Sequence, residues 1–291
     1  QRAHFETLGN TTGFTGTAAV KGRKQYCKTA VEWFEIFQTE WGEANSGRLY
    51  FVLGTQASSP TSPEADSVTH QLADYVEEVT LDSIPMNPHG TRIHAMALAP
   101  YSGLHTSTGD RFGDDAVDEG WYLTDTAAQG VARIPTTYRP LAYTFMTDQI
   151  AAIATLAGTA SKPYTGIIPV CYEAGPNVIS SGANSGNSNL TTFLQGVLDH
   201  DSMGTVCRDY INNWWTLGGK LMCWFDLCGA RTGTNAYGAL QHIDNTYSDD
   251  PIYAALIGVG GRTASSGAVL AWAGAKLGNI RRRPVTIRSI R

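Results

Sequence analysis

Residues 166–176, Gly166-Ile167-Ile168-Pro169-Val170-Cys171-Tyr172-Glu173-Ala174-Gly175-Pro176, hold the pattern on which the fold turns. An apolar run ends in one carboxylate and is then cut off by Ala-Gly-Pro. The run of Ile167, Ile168, Val170 and Cys171 suits a parallel strand covered on both faces, and Gly-Pro stops it. Glu173 therefore falls at the carboxyl end of a strand. That end of a parallel α/β sheet carries the chemistry, whereas a carboxylate in mid-strand is an unexplained buried charge. Two readings of Glu173 stay open on these residues alone: a catalytic acid, or a side chain that caps the next loop or pairs with an arginine.

Working outward, three further apolar runs are separated by helical patterns. Arg48-Leu-Tyr-Phe-Val-Leu-Gly-Thr-Gln56 reads as a strand, preceded by a helix over about 24–41 whose Val31, Phe34, Ile36 and Phe37 face inward. A helix around 67–79 leads to a second strand, Arg92-Ile-His-Ala-Met-Ala-Leu-Ala-Pro-Tyr101. A long loop with Asp110, Asp114, Asp115, Asp118 and Glu119 precedes a helix near 144–160. After the Glu173 strand come a Gly/Asn/Ser-rich loop (180–189), a helix over roughly 203–217 closed by Gly218-Gly219, and a fourth strand, Lys220-Leu-Met-Cys-Trp-Phe-Asp-Leu-Cys228. Strands alternating with helices predict βαβ units and a parallel sheet, with 48–54, 92–99, 166–172 and 220–226 as consecutive strands. Residues 1–14, with Glu6 ahead of Gly9-Asn10, read as the end of a further strand entering a loop. An open doubly wound sheet is the architectural alternative, but neither GxGxxG nor GxxxxGK[ST] follows a strand.

The chain has 291 residues with 42% hydrophobic content, enough for a large core. The net charge is −5, and because residues 281–291 hold five arginines, the rest of the chain stands at −10. An acidic body argues against nucleic acid as the main ligand. No apolar run approaches the roughly 20 residues that span a bilayer, and no signal-peptide pattern opens the chain. The five cysteines form no CxxC pair, so they read as mostly buried thiols, with Cys171 and Cys223 packing inside strands. The seven histidines show neither HExxH nor His-x-His, so neither a metal nor another cofactor is expected.

One resemblance runs from Tyr172 to Leu256. Tyr172-Glu173-Ala174-Gly175, Asp201-Ser202-Met203, Arg208-Asp209-Tyr210, Trp214-Trp215, Gly218-Gly219, Trp224-Phe225, Tyr237-Gly238 and Pro251-Ile252-Tyr253-Ala254-Ala255-Leu256 follow one another in order and spacing like the last quarter of a TIM-barrel glycoside hydrolase of the large retaining clan. More narrowly, they are similar to bacterial and phage-borne barrel proteins with a Tyr-Glu-Gly-Gly motif on strand seven. Upstream, Val52-Leu53-Gly54-Thr55-Gln56 resembles the fifth barrel strand and Ala97-Leu98-Ala99-Pro100-Tyr101 the sixth. The resemblance implies a (β/α)8 barrel of which this chain supplies roughly strands 4/5 to 8, the others coming from another polypeptide, from a missing segment, or not at all. It also implies a barrel domain over 1–257. Residues 258–267 then read as a Gly/Ser-rich linker, and 268–291, with Trp272, Leu277 and the arginines, as a docking tail for a neighbouring chain.

The same resemblance assigns roles. Glu173 takes the position of the nucleophile, and Tyr101 that of the strand-six tyrosine that hydrogen-bonds to it and favours its charged form. The acid/base of the clan follows an Asn at the end of strand four. The nearest counterpart here is Glu6, where Phe5 stands in place of that Asn. Retaining hydrolysis needs two carboxyl groups about 5–5.5 Å apart, since one attacks the anomeric carbon while the other protonates the leaving oxygen. Trp224 offers a flat face for a pyranose ring, against ordinary core packing as its alternative. Gln56 and Asp226 fall at strand ends, and Trp121 in the long loop can line a subsite. The expected substrate is a polysaccharide or other glycan, and the expected location extracellular or particle-associated. Two other functions remain open: a carbohydrate-binding barrel without catalysis, and a structural subunit of a larger, phage-like assembly.

Overall fold

A computed structural model describes residues 2–41, 49–55, 72, 75–105, 110–157, 166–229, 231–233, 237–241 and 250–260. Its centre is a four-stranded, wholly parallel sheet in the order β1-β4-β5-β6, built from β1 (Val52–Gly54), β4 (Ala95–Leu98), β5 (Ile168–Ala174) and β6 (Leu221–Trp224). These are the four runs expected from the sequence, adjacent in space in their chain order. A separate two-stranded antiparallel hairpin, β2 (Thr80–Leu81) with β3 (Ile84–Pro85), turns through Asp82 and Ser83, both at positive φ. Helices α1 (Arg2–Thr12) and α2 (Ala18–Trp41) precede the sheet. Helices α3 (Phe112–Asp118), α4 (Ala127–Arg133) and α5 (Arg139–Ala157) connect β4 to β5, α6 (Ser188–Asp199) and α7 (Asp201–Thr216) connect β5 to β6, and α8 (Pro251–Gly260) follows.

The helices cover one face of the sheet. Leu53, Met96, Leu98, Cys171 and Ala174 point into a core shared with Cys27 and Val31 of α2, Phe145, Met146 and Ile153 of α5, and Tyr210, Ile211 and Trp214 of α7. On the opposite face Ala95, Ala97 and Val170 form a small cluster with Ile168 and Leu221, and no helix contributes to it. A doubly wound sheet carries helices on both faces; the described helices here are confined to one. A second core lies beyond the carboxyl ends of the strands, where Phe112, Trp121, Ile134, Tyr138, Phe193, Leu194 and Met203 pack together.

Several expectations are corrected. Residues 2–12 form α1 rather than a strand end. Arg2 pairs with Glu6 one turn on, the hydroxyls of Thr7 and Thr11 donate to carbonyls one turn back, and Gly9 and Gly22 let α1 and α2 approach so closely that a Cβ on Gly9 would sit 2.3 Å from the Lys21 carbonyl oxygen. Ile36 and Phe37 lie on the outer side of α2, because Cys27 and Val31 take its buried side and Phe34 stacks on Phe51 at 4.6 Å. The long loop after Tyr101 contains four helical stretches: α3, a 3-10 turn at Trp121–Leu123, α4, whose start is fixed by the Thr126–Gln129 capping box, and a π-helical turn at Ile134–Tyr138. Helix α6 begins at Ser188, inside the segment read as a loop, with the Asn187 side chain accepting from the Leu190 N–H. Cys223 is exposed rather than packed. Of the helix expected over 67–79, residues 72 and 75–77 are helical among those described; the tail expected at 268–291 lies outside the described residues, and of the linker at 258–267 the first three residues close α8. No helix among the described residues is long and apolar enough to cross a membrane.

Candidate active site

Glu173 occupies the carboxyl end of β5, and a register shift decides which way it faces. Cys171 pairs with Met222 and Ala174 with Trp224, so β5 spends three residues where β6 spends two. Cys171 and Ala174 both remain in the helix-side core, fully buried. The extra residue takes Glu173 off that face, which strict alternation from Cys171 would have given it. The carboxylate is only partly buried. This bulge is invisible in the sequence pattern, because Ala174 is small enough to sit on either face.

From the neighbouring strand end, the Tyr101 hydroxyl donates to Glu173 Oε2 at 3.0 Å. Burial, and then this hydrogen bond, push the Tyr101 phenol well above its ordinary range, so it stays a donor. Beneath it the Tyr210 hydroxyl donates to the Pro100 carbonyl, anchoring the end of β4 to α7. The Tyr237 ring meets Tyr101 edge-on at 5.9 Å and Phe225 at 5.4 Å. Burial raises the Tyr237 phenol; the Arg111 charge opposes that shift and the Glu173 charge adds to it, which places the Tyr237 hydroxyl within electrostatic reach of both. Neither Tyr237 nor Arg111 stood out as a site residue in the sequence; the only signal was the Tyr237-Gly238 pair.

The wall of the site is made where the loops after β4 and β5 meet. Ser102 N–H donates to the Gly175 carbonyl, and Gly103 lies so close to the Asn177 backbone that a Cβ there would sit 2.0 Å from its carbonyl oxygen. Asp114 accepts from the Ser180 hydroxyl at 2.5 Å, the Ser181 N–H at 2.8 Å and Asn184 Nδ2 at 3.0 Å, and these bonds hold its carboxyl below the ordinary range against the opposing effect of burial. Asp115 accepts from the Tyr138 hydroxyl at 2.7 Å in the second core, where burial raises its carboxyl. The carboxylates at 114 and 115 are thus structural ties, not a solvated run.

The other candidates fall as follows. Glu6 is on α1, bonded to Arg2 and packed over Gly22, rather than at a strand end. Trp121 is buried, with Phe112 edge-on at 5.1 Å, Phe193 at 5.4 Å and the Arg133 guanidinium over its ring; it has no face left for a sugar. Trp224 is partly buried between the two cores and meets Tyr210 edge-on at 6.3 Å, so packing accounts for it. Asp226 follows a cis peptide at the end of β6, and its Oδ1 is buried without a hydrogen-bond partner. Gln56 lies outside the described residues. Among the described residues no three His, Cys, Asp or Glu side chains are grouped to hold a metal. No protein-family model, curated protein or solved structure matches this chain.

Proposed function

We propose that this chain is the carboxyl-terminal half of a (β/α)8 barrel that hydrolyses glycosidic bonds with retention, Glu173 acting as nucleophile. The observation that carries the reading is the carboxylate at the carboxyl end of a parallel strand, turned off the core face by a bulge and held by a phenol from the next strand. Tyr101 orients the carboxylate, and the surface beside the loops after β4 and β5 receives the glycan. Described helices confined to one face and strands in sequential order support a barrel over an open sheet. Such a barrel requires further strands beside the free edges of β1 and β6 from another polypeptide segment.

A second reading, a glycan-binding barrel without catalysis, is favoured by the position of Glu6. A lone Glu173 cannot both attack and protonate the leaving group. Incubation with a panel of 2-deoxy-2-fluoroglycosyl fluorides, followed by intact-mass and peptide mapping, separates the two. A covalent glycosyl adduct on Glu173 that is absent in Glu173→Gln is expected for the nucleophile. Glycan binding on an array without adduct formation at any sugar would refute catalysis and leave the binding reading.

A further inference from the structure

Arg111 stands at the seam where the loops after β4 and β5 meet. Its backbone bridges Leu104 in antiparallel fashion, and the N–H of the next residue, Phe112, donates to the Gly103 carbonyl, two residues beyond Tyr101. As N-cap of α3 it makes no side-chain capping bond. Its Nη1 instead donates across the seam to the Ser180 carbonyl at 3.4 Å, in the loop that follows Glu173. Arg111 is exposed, and among the described residues no carboxylate pairs with it and no protein acceptor takes Nη2 or Nε. The acids on the first turn of α3 are engaged elsewhere, Asp114 by Ser180, Ser181 and Asn184, and Asp115 by Tyr138. The Arg111 charge opposes the rise that burial and then Glu173 impose on the Tyr237 phenol, and the Tyr237 ring meets Tyr101, the donor to Glu173. A guanidinium without a counter-ion and the carboxylate held by Tyr101 therefore bear on the same phenol from two elements.

A neutral sugar offers such a guanidinium hydroxyls, which water matches. A carboxylate or a sulfate ester offers two oxygens at the spacing of the guanidinium fork, and the bond to Ser180 leaves Nη2 and Nε free to take them in one plane. Resting on the reading of Glu173 as a glycosidase nucleophile, we propose that the substrate is an acidic glycan and that Arg111 selects it by binding the carboxylate or sulfate of a sugar beside the one attacked. The chain ahead of residue 281 stands at −10 and repels such a glycan at long range, so a preference for acidic sugars has to come from a local cation.

Binding of the full chain to an array of neutral, hexuronate-containing and sulfated oligosaccharides, followed by titration calorimetry on the bound members, tests the proposal. Acidic members should bind about 10-fold more tightly than neutral ones of the same backbone, the lower end for a charge-assisted hydrogen bond because the guanidinium is partly in water. That preference should shrink as salt is raised. Arg111→Gln, at an exposed position, should abolish the preference, and Arg111→Lys, which keeps the charge without the fork, should restore only part of it. The uronate and sulfate arms of the array decide which anion is read. Neutral glycans bound as tightly as acidic ones, a preference that survives in Arg111→Gln, or acidic members left unbound would each overturn the proposal. The covalent adduct on Glu173 reports separately on the nucleophile, so an adduct formed without any acidic preference would leave that reading standing and this one refuted.

Discussion

Replacing Arg231 with methionine removes the only guanidinium in the loop that carries Phe225 and Tyr237 to the site. Its side chain is 0% exposed, yet it bonds Asp199, Asp250 at 2.6 Å, and the carbonyls of Gly238 and Ala239 at 3.2 and 3.3 Å. Asp250, 3% exposed in its side chain, in turn accepts from the N–H groups of Ile252 and Tyr253 and so caps α8. Deleting one partner of a buried pair costs about 3–5 kcal/mol, because the other charge stays desolvated. Asp199 is nearly half exposed and adds little to that figure. Urea unfolding followed by tryptophan fluorescence should therefore show Arg231→Met destabilised by about 3–5 kcal/mol, with Arg231→Met/Asp250→Asn recovering part of the loss. Burial already raises the Asp250 carboxyl above its ordinary range, opposed by Arg231. A carboxyl whose folded pKa is raised contributes stability at low pH and loses it as pH rises, so the deficit of the single variant should shrink from pH 7 toward pH 5. A loss below about 1 kcal/mol, or one that grows on acidification, would refute the role given to this cluster.

Tyr101→Phe removes a hydrogen bond to a carboxylate, worth about 1.5–3 kcal/mol, and should lower kcat by roughly 10- to 100-fold with Glu173 as nucleophile; an unchanged kcat would take Tyr101 out of the reaction. His94 accepts the Phe51 N–H on Nδ1 at 3.0 Å, and burial first, then Arg92, lowers its pKa from 6.5. The unfolded chain then takes up the proton first, so stability should fall as pH drops below about 6.5, and His94→Gln should flatten that slope in thermal melts. Asp82, bonded by Lys24 and Thr15, is held at about 2; its contribution should be present above pH 4 and fade toward pH 2, a loss that Asp82→Asn should show at neutral pH. Gly103→Ala, placing a methyl group against the Asn177 carbonyl, should cost about 1–3 kcal/mol and weaken glycan binding through the displaced loops.

The parallel sheet was legible in the chain because its strands are apolar runs bounded by glycine and proline and separated by helical patterns, which is the signature of βαβ units. The places of Glu173 and Tyr101 were legible for the same reason, since both residues end such runs, whereas their hydrogen bond was implied only by the resemblance to the barrel hydrolases. Residues 2–12 were misread because eleven residues with few apolar positions carry almost no periodicity; what makes them helical is contact with α2 through Gly9 and Gly22, a tertiary term. Trp121 read as a loop aromatic because the partners that bury it, Phe112 and Phe193, come from helices before and long after it. Tyr237 and Arg111 were silent because each reaches the site from a different loop, more than sixty residues from Glu173 in the chain. Local pattern thus determined which segments are strands and where a carboxylate ends one. Only tertiary packing decided which face that carboxylate takes, because a bulge arises where two strands of unequal count must pair.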